Sequence, residues 1–439
     1  MIPAMRVARR TLLGAGLAAA ATLTGCAKAG GPASVDPAGP LPRPSFSPGA
    51  GLAVRRILGQ ARYAVDVHQV LERYVPAPQT LRHNGFPGAV ALVLVDGEPT
   101  VRVAVGEALR YGAGPTLLPL GERVAMRPDS IFDLASVTKV YTAILLLQQV
   151  ERGRVRLDAP VVEYLPGFTG AGKAAVTVGM LLTHTSGLPV GATVTGLPDE
   201  AARWNAVLAT PLVAGATPGT TFRYSSVGLM IAGRIVEKVT GQRLDQALRS
   251  NLTGPLGLTE TGFTPNAWLS ASDRKTRLVA TDARSSRGLL RGVVHDDVAN
   301  LLGGVAGHAG VFASAADVAA IGRLLLDAGT YGGTRVLEAA TVRKMLVNAN
   351  AGKPAIDPDH PTRTSAHGLG VVLNQPWFMG RLSSPGTFGH TGFTGTTLVV
   401  DPGRRLVLAL LTNRAHPNWS WADPDPTRVA VADALAKAV

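Results

Sequence analysis

Hydrophobic and polar positions divide this chain into strand-like ends and a helical middle. From Gly88, "GAVALVLVDGEPTVRVAVGEA" forms two strand-like runs about Asp96-Gly97, a pair suited to a hairpin turn. "TTLVVDPGRRLVLALLTN", Thr396 to Asn413, repeats the device near the other end. Between them the period changes to that of helices. Val140 to Leu147 is apolar on nearly every side, which predicts a buried helix. "VGLMIAGRIVEKVTG" carries apolar residues at helical spacing and closes at Gly241. Thr177 stands where it can cap a short helix, "VGMLLTH", that stops at "TSGLP". Ser314-Ala-Ala-Asp317 reads as a capping box before "VAAIGRLLLDAG". A helical stretch from about Val54 to Tyr74 opens the ordered part, and "PTRVAVADALAKAV" closes it. The pattern predicts an α+β fold with no internal repeat.

Composition adds an address. In 439 residues, 46% are hydrophobic, enough for a large core. The N-terminus has a basic segment ending in Arg9-Arg10 and an apolar stretch from Thr11 to Leu23. That stretch is short for a bilayer span but suits a signal-peptide core. The paired arginines resemble a twin-arginine export signal. Leu23-Thr24-Gly25-Cys26 resembles the bacterial lipobox, which implies lipidation of Cys26 and a membrane anchor. Cys26 is the only cysteine, so disulfides and thiolate metal sites are excluded. The Pro/Gly/Ser-rich residues 27–53 read as a tether, leaving 54–439 as one domain without a membrane-spanning segment.

The net charge of +13 and pI near 10.3 would suit nucleic acid, but the Lys and Arg residues are scattered. No basic run is interleaved with aromatics, so no nucleic-acid partner is expected. An anionic envelope surface fits better. Nothing in the pattern bears on oligomeric state.

One polar-to-apolar junction asks for a chemical reason. Ser136 and Lys139 lie three residues apart, on one helix face, where the buried helix begins. A lysine there is costly unless it has a partner or a task. An amine beside a hydroxyl can take its proton and make it a nucleophile, and a helix N-terminus offers free N–H groups to an oxyanion. The same spacing at Ser272 and Lys275 lies in a charged segment with no apolar helix after it, and reads as a solvated loop. Two further candidates follow. Tyr224 and Ser226 stand just before a helix, and His390-Thr391-Gly392 opens a strand-like run. Singly, Tyr224 would be a packed aromatic and His390 a loop histidine. His295, Asp296, Asp297 and His308 contain metal-ligating types, but their spacing matches no metal motif and their glycines suggest a loop near the site.

Together and in this order, Ser136-x-x-Lys139, Tyr224-x-Ser226 and His390-Thr391-Gly392 resemble the motifs of the serine β-lactamase and penicillin-binding-protein superfamily, in its class C/DD-peptidase branch. "LLTHTSGLP", with His184 and Gly187, is a further marker. "GGVAGHAGVF" and "LLTNRAHP" look like segments of D-alanyl-D-alanine carboxypeptidase members. The resemblance runs from about Ala53 to the C-terminus. It implies an antiparallel sheet flanked by helices plus a mostly helical lobe. It also implies that Ser136 forms an acyl-enzyme, with Lys139 and Tyr224 sharing proton transfer. The N–H groups of Ser136 and Phe393 would form the oxyanion hole, and Ser226, His390, Thr391 and Gly392 would line the substrate. No metal or organic cofactor is implied.

The expected activity is D-alanyl-D-alanine carboxypeptidase-like cleavage of cell-wall peptides. An esterase acting on small acyl esters, a weak β-lactamase, or a non-catalytic envelope binding protein are the alternatives. Two departures matter. Ser226 replaces a common Asn and is shorter. His390 replaces a common Lys, so attraction to a substrate carboxylate should weaken as pH rises. That substitution points away from an efficient β-lactamase.

Overall fold

The computed structural model describes residues 64–357 and 363–438. The export segment, Cys26, the tether and the first part of the helix expected from Val54 lie outside the described residues.

Seven strands make one antiparallel sheet. In chain order they are β1 (Gly88–Val95), β2 (Glu98–Leu109), β3 (Val124–Ala125), β4 (Val372–Leu373), β5 (Phe388–Thr391), β6 (Thr397–Asp401) and β7 (Leu406–Thr412). Their spatial order is β4-β5-β6-β7-β1-β2-β3, so strands from the two ends of the chain meet at the β7–β1 pair, with Leu92 opposite Ala409. β1 is apolar throughout because both its faces are covered, the usual cause of a continuous rather than alternating run. Val90, Leu92 and Leu94 enter one core, while Ala89, Ala91 and Val93 enter another on the opposite face.

The first core lies between the sheet and the helical lobe. It includes α1 (Thr138–Glu151), α2 (Ser226–Thr240) and α3 (Ala315–Leu326). Helix α3 lies so close to the sheet that a Cβ on Gly322 would sit 2.5 Å from Val407 Cγ1. The second core is closed by a helix over residues 64–72 and by α4 (Asp425–Ala438), through Val67, Leu71, Val431 and Leu435. Helix α1 is central to the first core. From Thr138 to Gln149 it is buried on all sides, and it packs against α2.

Three local expectations need correction. Thr177 precedes the helix Val178–Leu182, but its side chain makes no capping bond. That helix ends early because His184 turns to φ 57°. The Ser314 hydroxyl caps α3, accepting from the Asp317 N–H, but the reciprocal half of the box is missing. The Asp317 carboxylate instead accepts from the Glu260 N–H and the Thr261 hydroxyl. Ser272 and Lys275 lie on an exposed short helix, Ala271–Thr276, rather than a loop. The Ser270 hydroxyl caps it by accepting from the Asp273 N–H. Among the described residues, no helix is long and apolar enough to cross a membrane.

Candidate active site

The short strand Phe132–Asp133 pairs with Val311–Ala313, and the chain then turns sharply into α1. Ala135, at the turn, adopts φ 46°, a left-handed conformation costing an L-residue roughly 1–2 kcal/mol. Asp133 holds it there. Its Oδ1 accepts from the Ala135 N–H at 2.8 Å and its Oδ2 from the His295 N–H at 2.6 Å. Burial pushes the Asp133 carboxyl upward, against those two bonds. Ser136 follows, half-buried among neighbours that are fully buried.

Lys139 is wholly buried, one helical turn along. Its Nζ donates to Ser136 Oγ at 2.8 Å and to the His308 carbonyl at 3.1 Å, and it lies 5.0 Å from the centre of the Tyr224 ring. A buried amine must find acceptors. Here they are a hydroxyl and a carbonyl, which leave it directed at the serine oxygen.

Tyr224 lies between the short strand Phe222–Arg223 and α2. His184 holds the residues on either side of it. The His184 carbonyl accepts from the Arg223 N–H at 2.8 Å, and its Nδ1 from the Ser225 N–H at 3.1 Å. The His184 and Tyr224 rings are 4.7 Å apart. Ser225, not Ser226, caps α2, its hydroxyl accepting from the Gly228 N–H. Ser226 opens the helix and its N–H reaches the Val190 carbonyl. Among the described residues its hydroxyl makes no hydrogen bond, and nothing ties it to Ser136.

His390 and Thr391 end β5, with the His390 ring 6.4 Å from that of Tyr224. The buried His390 ring donates from Nδ1 to the Thr391 carbonyl, which leaves a lone pair on Nε2. Burial, and then the Lys139 charge, hold His390 well below the ordinary histidine range. This runs against the expectation of an imidazole charged part of the time near neutrality, because the apolar surroundings and the neighbouring amine both oppose protonation of His390. His367 completes the cluster, 4.8 Å from His184, with burial lowering it to about 4.

The loop from Gly392 to Thr396 lies across the nucleophile turn. The Thr394 hydroxyl donates to the Asp133 carbonyl and the Thr396 hydroxyl to the Leu134 carbonyl, each at 2.8 Å. A Cβ on Gly392 would fall 2.4 Å from the Leu134 oxygen, so only glycine permits this approach. Phe393 therefore follows within the same loop, with its ring turned outward against Trp419 and beneath the Arg414 guanidinium.

The structure thus brings together Ser136, Lys139 and Tyr224, with His390, Thr391, Gly392 and Phe393 on the adjoining strand and loop. The four metal-ligating candidates serve other contacts. His295 lies 3.5 Å from Asp282, Asp296 caps a helix and pairs with His308, and Asp297 pairs with Arg287. Asp133, His367 and the His308 carbonyl are site residues the sequence pattern did not single out. Only His308 carried a signal, in its glycine-rich loop.

This arrangement can activate a serine hydroxyl and protonate a leaving group. A β-lactamase family model matches residues 71–433. The chain belongs to the β-lactamase family. As a member it is a serine hydrolase with the β-lactamase/penicillin-binding-protein fold, and the motifs in the sequence pointed to the right superfamily. A protein of Escherichia coli K12 named "Putative D-alanyl-D-alanine carboxypeptidase" is 31% identical over 365 residues, 76% of this chain and 79% of that protein. A Bacillus subtilis 168 protein named "N-acetylmuramyl-L-alanine amidase" is 31% identical over 377 residues, 80% of each chain. The solved structure of EstCE1, described as a hydrolase with promiscuous acyltransferase activity, shares the fold. It has a TM-score of 0.64 and 21% identity, covering 86% of this chain and 100% of that one.

Proposed function

We propose that this β-lactamase-family hydrolase cleaves cell-wall peptides ending in D-alanyl-D-alanine. The observation that carries the reading is the 2.8 Å bond from the buried Lys139 Nζ to Ser136 Oγ. Ser136 Oγ attacks the scissile carbonyl and its proton passes to Lys139 or Tyr224. The oxyanion takes hydrogen bonds from the Ser136 and Phe393 N–H groups. As the C–N bond breaks, the departing amine collects a proton from Tyr224 or Lys139. Water then attacks the ester, gives up a proton to the same pair, and the acyl group leaves as Ser136 is restored.

The names of the Escherichia coli and Bacillus subtilis relatives, both peptidoglycan-related, support a cell-wall substrate. Incubation with a peptide ending in D-Ala-D-Ala should release free D-alanine, and Ser136→Ala should abolish the release. Equal release from both proteins would contradict the reading.

A second reading has a specific observation in its favour. A neutral His390 offers a substrate carboxylate no positive charge, which suits an uncharged acyl ester better than a peptide acid. Activity on p-nitrophenyl esters with no D-alanine release would select it.

Residues 1–26 are proposed to direct export, with Cys26 lipidated and 27–53 tethering the enzyme to the outer face of the membrane. Arg9-Arg10, the apolar stretch and the Leu23–Cys26 motif support this. The protein made in its native host should carry a diacylglycerol-type mass increment at Cys26, lost in Cys26→Ser. A soluble, unmodified native protein would contradict it.

A further inference from the structure

The Gly392 carbonyl and the Phe393 N–H belong to one peptide unit, and that carbonyl does not face solvent. It accepts a hydrogen bond from Arg428 Nη2 at 2.7 Å. Arg428 lies on α4, on the far side of the sheet from α1, and is 4% exposed. The rest of its donor set is spent on the same loop and one acid. Nη2 also reaches the Thr396 carbonyl, Nε donates to Thr397 Oγ1 at 2.9 Å, and Nη1 to Asp425 Oδ1 at 2.6 Å. A buried guanidinium is costly to desolvate, so its place against these carbonyls asks for a reason. This loop is already fastened by the Thr394 and Thr396 hydroxyls and by the Gly392 N–H to the Thr396 carbonyl.

We propose that Arg428 is a positioning residue for the oxyanion hole: by binding the Gly392 carbonyl it orients and polarises the peptide whose N–H, on Phe393, meets the developing oxyanion. A charge-assisted bond to the carbonyl oxygen draws amide electrons toward that oxygen and leaves the N–H a stronger donor. The same positive charge, in a dry interior, favours negative charge on the substrate oxygen without reorganising as it forms. Arg414 lies behind the same loop, against Gly395 and over the Phe393 ring. Of the two guanidiniums only that of Arg428 bonds the peptide in question, whose carbonyl also accepts from the Gly395 N–H at 3.0 Å.

The inference rests on the acyl-enzyme reading of Ser136, and the test separates the two. Full-length wild type, Ser136→Ala, Arg428→Gln and Arg428→Lys would be assayed on a matched pair of acyl esters, one with C=O and one with C=S at the reacting carbon. Sulfur is a poor acceptor, so the oxo-to-thiono ratio of kcat/KM reports oxyanion bonding, which a general loosening of the fold would not move. Arg428→Gln should lower the oxo rate by roughly 10- to 100-fold, less than loss of a whole oxyanion donor, and the thiono rate far less.

Arg428→Lys should recover part of the ratio. Should Arg428→Gln fail to fold, a reduced ratio in Arg428→Lys carries the same expectation. Wild-type turnover that depends on Ser136, with a ratio indifferent to Arg428, overturns this inference alone. Wild type that turns over neither ester overturns the underlying reading with it.

Discussion

Ser136 is half-exposed in a turn where Asp133, Leu134, Ala135 and Val137 are buried, so a substrate can reach its hydroxyl and little else there. Its partner Lys139 is directed by two acceptors, the Ser136 hydroxyl and the His308 carbonyl. Gly392 matters at this scale for the side chain it lacks. In Gly392→Ala the new methyl would fall 2.1 Å from Thr396 Oγ1 and 2.4 Å from the Leu134 oxygen, forcing the loop off the nucleophile turn. Acyl-enzyme formation should drop by about 100-fold or more, the scale of losing an oxyanion donor, while Ser136 and Lys139 keep their contact. Stopped-flow acylation by a chromogenic ester checks this. An unchanged rate would mean the loop is not part of the oxyanion site.

Among the elements, those with an unambiguous period were the ones legible in the sequence. The hairpins about Asp96-Gly97 and Pro402-Gly403, the buried α1 and the helix closing at Gly241 all stand where the pattern puts them. Each is decided by local spacing. What failed had no local signal. The Asp317 carboxylate leaves its capping box for Glu260 and Thr261, some 57 residues away in sequence. Spacing could not foresee this because the competing partners are tertiary.

The site divides in the same way. Ser136-x-x-Lys139 is a helix repeat and could be read. His367 reaches the cluster through a loop, and Arg428 through a helix on the opposite face of the sheet, so neither has a sequence neighbour to announce it. The neutrality of His390 was invisible for another reason, since it depends on burial and on the Lys139 charge together.

Across the molecule, five buried histidines share one electrostatic condition. Burial lowers His83 and His367 to about 4 and His416 to about 3, and holds His184 and His390 well below the ordinary value. An unfolded chain protonates these groups near pH 6.5, while the folded one keeps them neutral. Below that pH the unfolded state binds more protons, so each contribution is full above about 6.5 and is lost as pH falls toward the folded value. Each fully engaged group weakens the fold by up to about 1.4 kcal/mol per pH unit. Asp317, pushed up by burial to about 6, and Asp133 act in the opposite sense but are outnumbered. The melting temperature should therefore be lower at pH 5 than at pH 7.5. A melting temperature equal or higher at pH 5 would show that these rings are not buried and neutral.

The chemistry of the whole molecule centres on Ser136 as a nucleophile served by Lys139. The most direct test is intact-mass analysis of the protein after incubation with benzylpenicillin, beside Ser136→Ala and Lys139→Ala. The wild type should carry a penicilloyl adduct mapped to Ser136, absent from Ser136→Ala and formed at least about 100-fold more slowly by Lys139→Ala. An adduct that persists in Ser136→Ala, or that forms at an undiminished rate without Lys139, would contradict this chemistry.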